Sequence, residues 1–374
     1  MKNISLVIIL LLISLSACAQ PYESSVKANS VDKSSYTTEL IMKEASIPWG
    51  MAFLPDQSLL VTDKNGKMYH YSKGSVQEIK GVPEVYVTGQ GGLLDVEIHP
   101  NFKENSWVYL TYSSQSGEGE GSNTALLRAK LVNNTLTDKK VLYKASPNSS
   151  KGHHFGSRIE FDDKGYLYFT IGDRGDRDIN PQDLAKDGGK VYRLHDDGSI
   201  PTDNPFISES GAKKAIYSYG HRNPQGLIKN PYTGEIWEHE HGPKGGDEIN
   251  IIKPGKNYGW PVISYGINYD GTTFTDITAR EGMVQPLFYW VPSIAPCGMT
   301  FVTSDKYPNW KGNLLVGSLS IQYLERLVLQ NNKVVKRERL LDKMGRIRNV
   351  LQGPDGYIYV AVEGKGILKL IPKK

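Results

Sequence analysis

One short phrase recurs six times along this chain, and it constrains the fold more than any other feature. Each copy has an apolar residue, a turn rich in Pro, Asp, Asn and Gly, and then a run of aromatic and β-branched residues. The copies are FLPDQSLLVTD from Phe53, IHPNFKENSWVYLTY from Ile98, FDDKGYLYFTIGD from Phe161, KNPYTGEIWEHE from Lys229, KYPNWKGNLLVGS from Lys306 and GPDGYIYVAVE from Gly353. Such turns between strand-forming runs are typical of β-hairpins.

The spacing of the copies, roughly 45 to 75 residues, leaves room for about four short strands in each repeat. We therefore predict an all-β fold, a six-bladed β-propeller of four-stranded antiparallel blades, over residues 39–374. The strand Glu39–Glu44 precedes the first copy, and we expect it to close the ring by joining the last blade. A pair of β-sandwiches is the structural alternative, but it does not explain six similar phrases. The uneven spacing predicts insertions in the middle blades, where functional loops commonly lie.

The first residues, MKNISLVIILLLISLSACAQ, combine an early lysine, an uncharged apolar run and small residues before Cys18. This pattern indicates a secretory signal, so we expect an exported protein. Leu15–Cys18 also resembles the lipobox of bacterial lipoproteins. On that resemblance residues 1–17 are a lipoprotein-type signal peptide and Cys18 is the lipid anchor, in the periplasm or at the outer membrane. The alternative is a plain signal peptide cleaved nearby. Residues 18–38, polar and rich in Ser and Lys, are predicted to be a flexible tether.

Charge and cysteine content exclude several classes of protein. The net charge is only +4 and charges of both signs are interspersed, so we expect no nucleic-acid partner. The chain has two cysteines. If Cys18 carries the lipid, Cys297 has no disulfide partner. A Cys-x-x-Cys-His motif is absent, so no covalent c-type haem is expected.

The stretch from Lys151 to Gly175, KGHHFGSRIEFDDKGYLYFTIGDRG, places two histidines and a later aspartate around one apolar hairpin. Histidine titrates near neutral pH, and an aspartate within reach can fix its tautomer. A pair formed with Asp173 could therefore take a proton from a hydroxyl. The alternative is that His153 and His154 are exposed turn residues and that the Asp173 turn is ordinary surface.

Two further loops carry groups suited to an anionic ligand. The turn 219–226, YGHRNPQG, contains Arg222, whose fork suits a carboxylate or a quinone oxygen. In GRIRN, Arg346 and Arg348 are alternate residues of an extended segment, so they face the same way. Two converging guanidinium groups favour a polyanion, although a pair of arginines by itself would suit a solvated edge equally well.

Two other loops are rich in glycine. GQGGLLD permits close approach of the backbone around Gln90, although alone it could be a simple connection between blades. EHGPKGGDEIN, residues 240–250, has the oxygen-rich character that a hard cation such as calcium requires, without the acidic ladder of an EF-hand.

Together the motifs GQGGLL, HHFGSR with IGDRG, GHRNPQGL, HGPKGGDEIN with NYGWP, and RIRNV before GPDG resemble the soluble pyrroloquinoline quinone (PQQ)-dependent glucose/sorbosone dehydrogenase family, aldose sugar dehydrogenase type. The resemblance extends from about residue 45 to 370. It implies oxidation of the C1 hydroxyl of an aldose to a lactone, with hydride transfer to PQQ and with calcium as a second cofactor. Electrons would then pass to an external acceptor, a quinone or a cytochrome.

The resemblance also implies roles for individual residues. His154 would be the general base, Asp173 its orienting partner, and Arg222 a group that stabilises charge on the quinone. The cofactor-binding residues would be Gln90, Arg222, Asn223, Gln225, Asp247, Arg346 and Arg348, with Gln90 also close to the substrate. Calcium on PQQ would be held by the backbone carbonyls of Gly242 and Pro243, and a second, structural calcium by Glu248 and Tyr258.

Two positions depart from the family pattern. Ser320 stands where glucose-dehydrogenase relatives have a lysine that contacts PQQ, and His153 stands where they have an acid. PQQ affinity and substrate range therefore do not carry over directly. Two other functions stay open: a calcium-dependent propeller lactonase, which would not need Arg346 and Arg348, and a non-catalytic glycan-binding lipoprotein propeller.

Overall fold

The computed structural model describes residues 27–30 and 35–373. The predicted signal peptide, Cys18 and much of the predicted tether lie outside these residues. The described part of the chain forms six β-sheets, each built of at least four strands. The predicted six-bladed propeller of four-stranded antiparallel blades is therefore confirmed.

The strands follow one another along the chain, and four consecutive strands make each of blades 1 to 5. The two strands that precede blade 1 are β1 (Ala28–Ser30) and β2 (Tyr36–Met42). Blade 1 contains β3 to β6, Pro48–Phe53, Leu59–Asp63, Lys67–Ser72 and Ser75–Glu78. Blade 2 contains β7 to β10, Leu93–Ile98, Trp107–Ser114, Asn123–Val132 and Thr135–Lys144. Blade 3 contains β11 to β14, Ile159–Phe161, Leu167–Ile171, Lys190–Leu194 and Ile216–Tyr219.

The other three blades repeat this order. Blade 4 contains β15 to β18, Pro224–Lys229, Ile236–Glu240, Asp247–Ile251 and Phe288–Trp290. Blade 5 contains β19 to β22, Pro296–Phe301, Leu314–Ser318, Leu324–Gln330 and Lys333–Leu340. Blade 6 contains β23 to β25, Ile347–Gln352, Ile358–Val362 and Gly366–Pro372, and β2 supplies its fourth strand. The long connections lie in blades 3 and 4, as the uneven repeat spacing predicts.

Each recurrent phrase proves to be the hairpin between the first and second strands of a blade, and in blades 3 and 6 an aspartate organises the turn. In blade 3 the Asp162 carboxylate accepts hydrogen bonds from the backbone N–H of Lys164 and of Tyr166, both at 2.9 Å. Gly165 in the same turn has φ +80°, which favours glycine. Asp355 accepts the N–H of Tyr357 in the same way in blade 6. These side-chain caps satisfy the backbone where it leaves the sheet.

The ring is closed by β2, which pairs antiparallel with β25, as we expected of the segment 39–44. The strand begins earlier than expected, because Tyr36 is buried beside Trp310 and its hydroxyl accepts the N–H of Leu341 at 2.8 Å. In addition, Ala28–Ser30 pairs in parallel with the outer edge of blade 5. The prediction of a flexible tether over 18–38 therefore needs correction for these two segments, which pair with the propeller.

Helical structure in the described ranges is short. Its main pieces are the α-helix Phe102–Asn105 and the 3₁₀ turn Pro308–Trp310. Within the described residues, none of the helices has the length and apolar character needed to cross a membrane.

Arg158, which immediately precedes β11, lies at the axis of the ring and is 3% exposed. Its guanidinium donates to Asp95 Oδ1 at 2.9 Å, to Gln225 O at 2.8 Å and to Arg348 O at 2.7 Å. Longer contacts reach Trp49 O at 3.4 Å and the free, buried thiol of Cys297 at 3.6 Å. One side chain from blade 3 thus contacts the innermost strand of every other blade, so it stabilises the closed ring and fills its centre.

Candidate active site

Most of the predicted functional residues lie on one face of the propeller. This face is formed by the loops that precede the first strand of each blade and follow the second strand. Gln90, His154, Arg222 and Arg346 precede first strands, whereas Asp173 and Gly242 follow second strands. The topology therefore brings distant motifs of the sequence to one end of the central axis.

His154 and Asp173 form a hydrogen-bonded pair on this face. His154 Nδ1 lies 2.7 Å from Asp173 Oδ1, and Asp173 is 1% exposed. Burial lowers the pKa of His154 to about 4, although its bond with Asp173 acts in the opposite direction. The pKa of Asp173 lies below its usual value, because the effect of burial is outweighed by hydrogen bonds and by the nearby His154 and Arg222. At neutral pH the carboxylate accepts from Nδ1–H of a neutral imidazole, which leaves Nε2 free to take a proton.

The hairpin backbone around His154 is held by the neighbouring loop. His154 has φ +57°, and its N–H donates to the side chain of Gln90 at 2.8 Å. The buried Lys64 donates from Nζ to the carbonyls on either side of Gln90, Gly89 O at 3.1 Å and Gly91 O at 3.2 Å. Gln90 therefore contacts the proposed base directly, and Lys64 fixes the loop that carries it.

The second histidine of the motif is a neighbour of the pair. The His153 ring meets the His154 ring edge-on, with 4.5 Å between centroids. Its carbonyl accepts from the buried Arg174, and burial lowers the pKa of its imidazole. His153 is therefore packed beside the base and has no carboxylate like that of Asp173.

The turn GHRNPQG connects the histidine hairpin to the Gly242 turn. Arg222 donates from Nη1 to Gly242 O at 2.9 Å and to His241 O at 3.1 Å. Asn223, fully buried, accepts the N–H of Gly156 at 3.1 Å. The positive charge of Arg222 is also one reason for the low pKa of His154. These contacts place the Arg222 guanidinium between the dyad and one of the predicted calcium ligands.

Two predicted cofactor ligands are placed below this face, where they support it. Gln225 is 4% exposed and accepts from the Cys297 thiol at 3.2 Å, next to the axis. The Asp247 carboxylate is fully buried and accepts from Gly242 N at 2.8 Å, Ile294 N at 2.7 Å and Ala295 N at 2.9 Å. Burial raises the pKa of Asp247 to about 6. In this arrangement both residues hold the loops of the site in place through their side chains.

Arg346 and Arg348 converge as predicted, and one carboxylate joins them. The Nε atoms of both arginines lie 3.0 Å from the same oxygen, Glu363 Oε2. Arg346 remains 42% exposed, whereas Arg348 is 11% exposed. Ser320 is also exposed at this face and contacts Ser293 O at 3.2 Å. The Glu363 carboxylate therefore bridges the two guanidinium groups and balances part of their charge.

Acidic side chains crowd one face of β16 and β17. Glu238 pairs across the strands with Asn250, and Glu240 pairs with Glu248. The Asn250 Nδ2 atom lies 3.2 to 3.5 Å from carboxylate oxygens of all three glutamates. Burial, followed by repulsion from Glu240, raises the pKa values of Glu238 and Glu248 well above normal. Glu238 Oε1 and Asn250 Oδ1 have no hydrogen-bond partner among the described residues. Orphaned oxygens among crowded carboxylates fit a bound hard cation.

A small cavity of about 10 Å³ lies beside these acids and is close to the size of one water molecule or ion. Its lining includes Glu240, Glu248, Tyr258 and Trp260. The Tyr258 hydroxyl points away, since it donates to Ile251 O at 2.7 Å and accepts from Lys253 N at 2.9 Å. The predicted pair Glu248 and Tyr258 therefore meets at one cavity, but the phenol oxygen of Tyr258 is engaged elsewhere.

No individual role was predicted for several residues of this face, although three of them lie in the motifs EHGPKGGDEIN and NYGWP: Lys64, Glu238, Glu240, Asn250, Trp260 and Glu363. For the acids there was a signal in WEHE and DEIN, where alternate residues of two neighbouring strands face the same side. For Lys64 and Glu363 no local signal exists. Lys64 follows the second strand of blade 1 but contacts the loop that leads into blade 2, and Glu363 lies 15 or more residues along the chain from Arg346 and Arg348, which it meets only when the hairpin of blade 6 forms.

The fold and this polar face define a six-bladed propeller with a hydrogen-bonded His–Asp pair at one end of its axis, and comparison with known proteins gives its family. The family model for Glucose / Sorbosone dehydrogenase matches residues 45–370. Because the match covers most of the chain, this protein belongs to the glucose/sorbosone dehydrogenase family, a family of oxidoreductases.

Its relatives place it within the aldose sugar dehydrogenases of that family. The chain is 43% identical over 345 residues to the aldose sugar dehydrogenase YliI of Escherichia coli K12, covering 90% of this chain and 92% of that protein. The crystal structure of the soluble E. coli aldose sugar dehydrogenase in the apo-form matches with a TM-score of 0.87 and 41% identity, over 90% of this chain and all of that one. The PQQ-bound aldose sugar dehydrogenase of Streptomyces coelicolor matches with a TM-score of 0.73 and 26% identity, over 91% of this chain and 99% of that one.

Proposed function

We propose that this protein is a PQQ- and calcium-dependent aldose dehydrogenase that oxidises the C1 hydroxyl of a sugar to a lactone. The observation that carries the proposal is the His154–Asp173 pair, whose imidazole is neutral at pH 7 and faces the same loops as Arg222, Arg346 and Arg348. The structure of the Streptomyces coelicolor relative is of its PQQ-bound form, which supports the choice of cofactor.

In this proposal each residue has a task that its contacts support. His154 takes the hydroxyl proton at Nε2, while Asp173 holds Nδ1–H and stabilises the imidazolium that forms. Gln90 fixes the backbone of the base, and we propose that it also contacts the sugar. Arg222 presents a positive charge beside the dyad, suited to charge that develops on an acceptor oxygen. When bound, PQQ supplies a carbonyl carbon that accepts the hydride.

The residues present fit both cofactors. Arg346 and Arg348 share a single carboxylate, and the carboxylates of PQQ could take its place. For calcium on the quinone we propose the carbonyls of Gly242 and Pro243. Gly242 O accepts a hydrogen bond from the Arg222 guanidinium, and calcium would replace this donor. For the structural calcium we propose the cavity between Glu240 and Glu248, with Glu248 as a carboxylate ligand and Tyr258 contributing through its backbone.

We further propose that the protein is exported and lipid-anchored at Cys18, in the periplasm or on the outer membrane. Electrons would leave for an external quinone or cytochrome. The support for this part comes from the N-terminal sequence and from the lack of a haem-attachment motif.

The test is reconstitution of purified protein with PQQ, with and without calcium, in the presence of a dye acceptor and a panel of aldoses. We expect dye reduction that requires PQQ and is lost in His154→Ala, which should still bind PQQ. His195→Ala is the matched control, because this histidine follows β13 and packs on Tyr166, away from the proposed site. Lactone hydrolysis or glycan binding without any dye reduction would overturn the proposal in favour of a lactonase or a glycan-binding propeller.

A further inference from the structure

Trp260, in the motif NYGWP, has no role in the site assigned above, yet it lies beside the dyad. Trp260 Nε1 donates to Asp173 Oδ2 at 2.9 Å, on the oxygen that does not face His154. The other oxygen, Oδ1, receives both His154 Nδ1 and Gly175 N, each at 2.7 Å. The indole therefore holds the half of the carboxylate that the imidazole leaves free.

The long connection between β17 and β18 fixes the position of this indole. Trp260 N donates to Gly220 O at 2.8 Å, and Gln182 Nε2 donates to Trp260 O at 2.8 Å. The ring is 6% exposed and packs edge-on against Phe274, 5.3 Å between centroids. The backbone of Trp260 is hydrogen-bonded on both sides and its ring is packed. The indole N–H is therefore held in one direction, toward Asp173.

Trp260 also contacts the other two parts of the site. The Arg222 guanidinium lies 5.3 Å from the centre of its ring. The same residue lines the cavity beside Glu240 and Glu248. One side chain therefore lies between the dyad, the guanidinium and the cavity proposed for a cation.

We propose that Trp260 is a positioning residue, which holds the Asp173 carboxylate in the orientation that keeps the proton of His154 on Nδ1 and leaves Nε2 free as the base. A carboxylate held at only one oxygen can rotate about its χ2 torsion, which is a soft, broad torsion. Rotation would lengthen the bond to Nδ1 and admit the other imidazole tautomer, in which Nε2 carries the proton and cannot accept one from the sugar.

The proposal rests on the proposed sugar oxidation for its catalytic consequence, so the first readout is independent of activity. The cofactor-free protein is labelled with ¹⁵N-histidine, and the His154 ring signals at pH 7 are assigned by their loss in His154→Gln. In the wild-type protein we expect one protonated nitrogen at Nδ1 and one bare nitrogen at Nε2. In Trp260→Phe we expect a mixture of the two tautomers. Trp260→Tyr fills slightly more of the indole volume than phenylalanine does, but it has no N–H at the position of Nε1. We expect the same mixture of tautomers in this variant.

The matched control is Trp290→Phe. Trp290 is 1% exposed and donates from Nε1 to Glu325 Oε2 at 2.7 Å, so it loses an equivalent hydrogen bond away from the dyad. In Trp290→Phe we expect His154 to have the same tautomer as in the wild-type protein. A wild-type tautomer in Trp260→Phe and Trp260→Tyr would overturn the proposal.

The second readout is steady-state kinetics after reconstitution with PQQ and calcium. We expect kcat of Trp260→Phe to fall about tenfold with little change in KM, the loss expected of one hydrogen bond to a charged group. An unchanged kcat would also count against the proposal. If no variant, including the wild type, oxidises sugars, the proposed function fails, whereas the tautomer measurement still decides the role of Trp260.

Discussion

Arg158 Nη1 lies 2.9 Å from Asp95 Oδ1 at the axis of the ring, and both side chains are almost fully buried. Asp95 Oδ2 also accepts the N–H of Ile159 at 3.0 Å, so the pair joins the innermost strands of blades 2 and 3. The remaining donors of Arg158 reach blades 1, 4, 5 and 6. A propeller has no core at its axis, and this ion pair occupies that position.

We predict that Arg158→Met lowers the free energy of unfolding by about 3–5 kcal/mol, because it leaves the Asp95 carboxylate buried without its partner. Urea unfolding at pH 7 measures this loss. Arg326→Met is the comparison variant: Arg326 pairs with Glu338 inside blade 5 and joins no other blade through that pair. We expect Arg158→Met to lose more free energy of unfolding than Arg326→Met. Equal losses would contradict a special role for the residue at the axis.

Acid should destabilise the protein through buried histidines. Burial lowers the pKa of His154 to about 4 and that of His239 to about 3, whereas in the unfolded chain both titrate near their usual value of about 6.5. At pH values between the folded and the unfolded pKa values, the unfolded chain therefore binds more protons than the folded protein. The stability that depends on the neutral imidazoles is complete above pH 6.5 and is lost as the pH falls toward 4.

For His154 alone we expect a loss of about 2 kcal/mol between pH 6.5 and 5, from the size of its pKa shift. Urea unfolding of wild type and His154→Gln at several pH values checks this, because the variant should show a shallower decline. Parallel curves for the two proteins would refute the assignment. The proposed base is neutral only above its own pKa. The plot of kcat/KM against pH reports the free enzyme, so we expect kcat/KM to fall as the pH decreases through about 4.

The fold was predictable because every blade repeats one local signal, a turn residue such as Asp162 capping a hairpin. The dyad was predictable from the resemblance, since His154 and Asp173 lie in one short hairpin unit. The contacts of Asp247 were not, because whether a carboxylate points into a ligand site or into the loop 293–295 depends on packing that the motif does not encode. The role of Glu363 was hidden for a similar reason, since it meets Arg346 only after the hairpin of blade 6 is formed.

Calcium should stabilise the protein through the acidic cluster. A ligand that binds only the folded state raises the free energy of unfolding by about 2.7 kcal/mol when its concentration is about a hundred times its Kd. If millimolar calcium reaches this ratio, we expect it to raise Tm by about 5 °C. Glu248→Gln should lose most of this shift. The measurement is thermal unfolding with calcium and with a chelator.

The control for this prediction is Glu97→Gln. Glu97 is a half-buried acid whose pKa is raised by desolvation and by the neighbouring Glu160, and it lies at the end of β7 away from the site. Removing either acid should relieve repulsion in the metal-free protein, but only the Glu248 change should abolish the response to calcium. A full calcium shift in Glu248→Gln would place the ion elsewhere.

Ser320 offers a direct test of how this chain compensates for the lysine that some relatives carry there. Ser320 is exposed and its neighbour Leu319 accepts a hydrogen bond from Arg346 Nη1 at 3.2 Å, so a lysine at 320 would add a third cation to the arginine pair. We predict that Ser320→Lys tightens PQQ binding about tenfold, the order of one added charge-assisted contact. Titration of the cofactor-free protein with PQQ measures the Kd directly. Thr233→Lys, on the exposed hairpin of blade 4 at the opposite face, controls for the general effect of net charge. If both lysine variants tighten binding equally, long-range attraction explains the gain; if neither does, PQQ is not held beside Arg346.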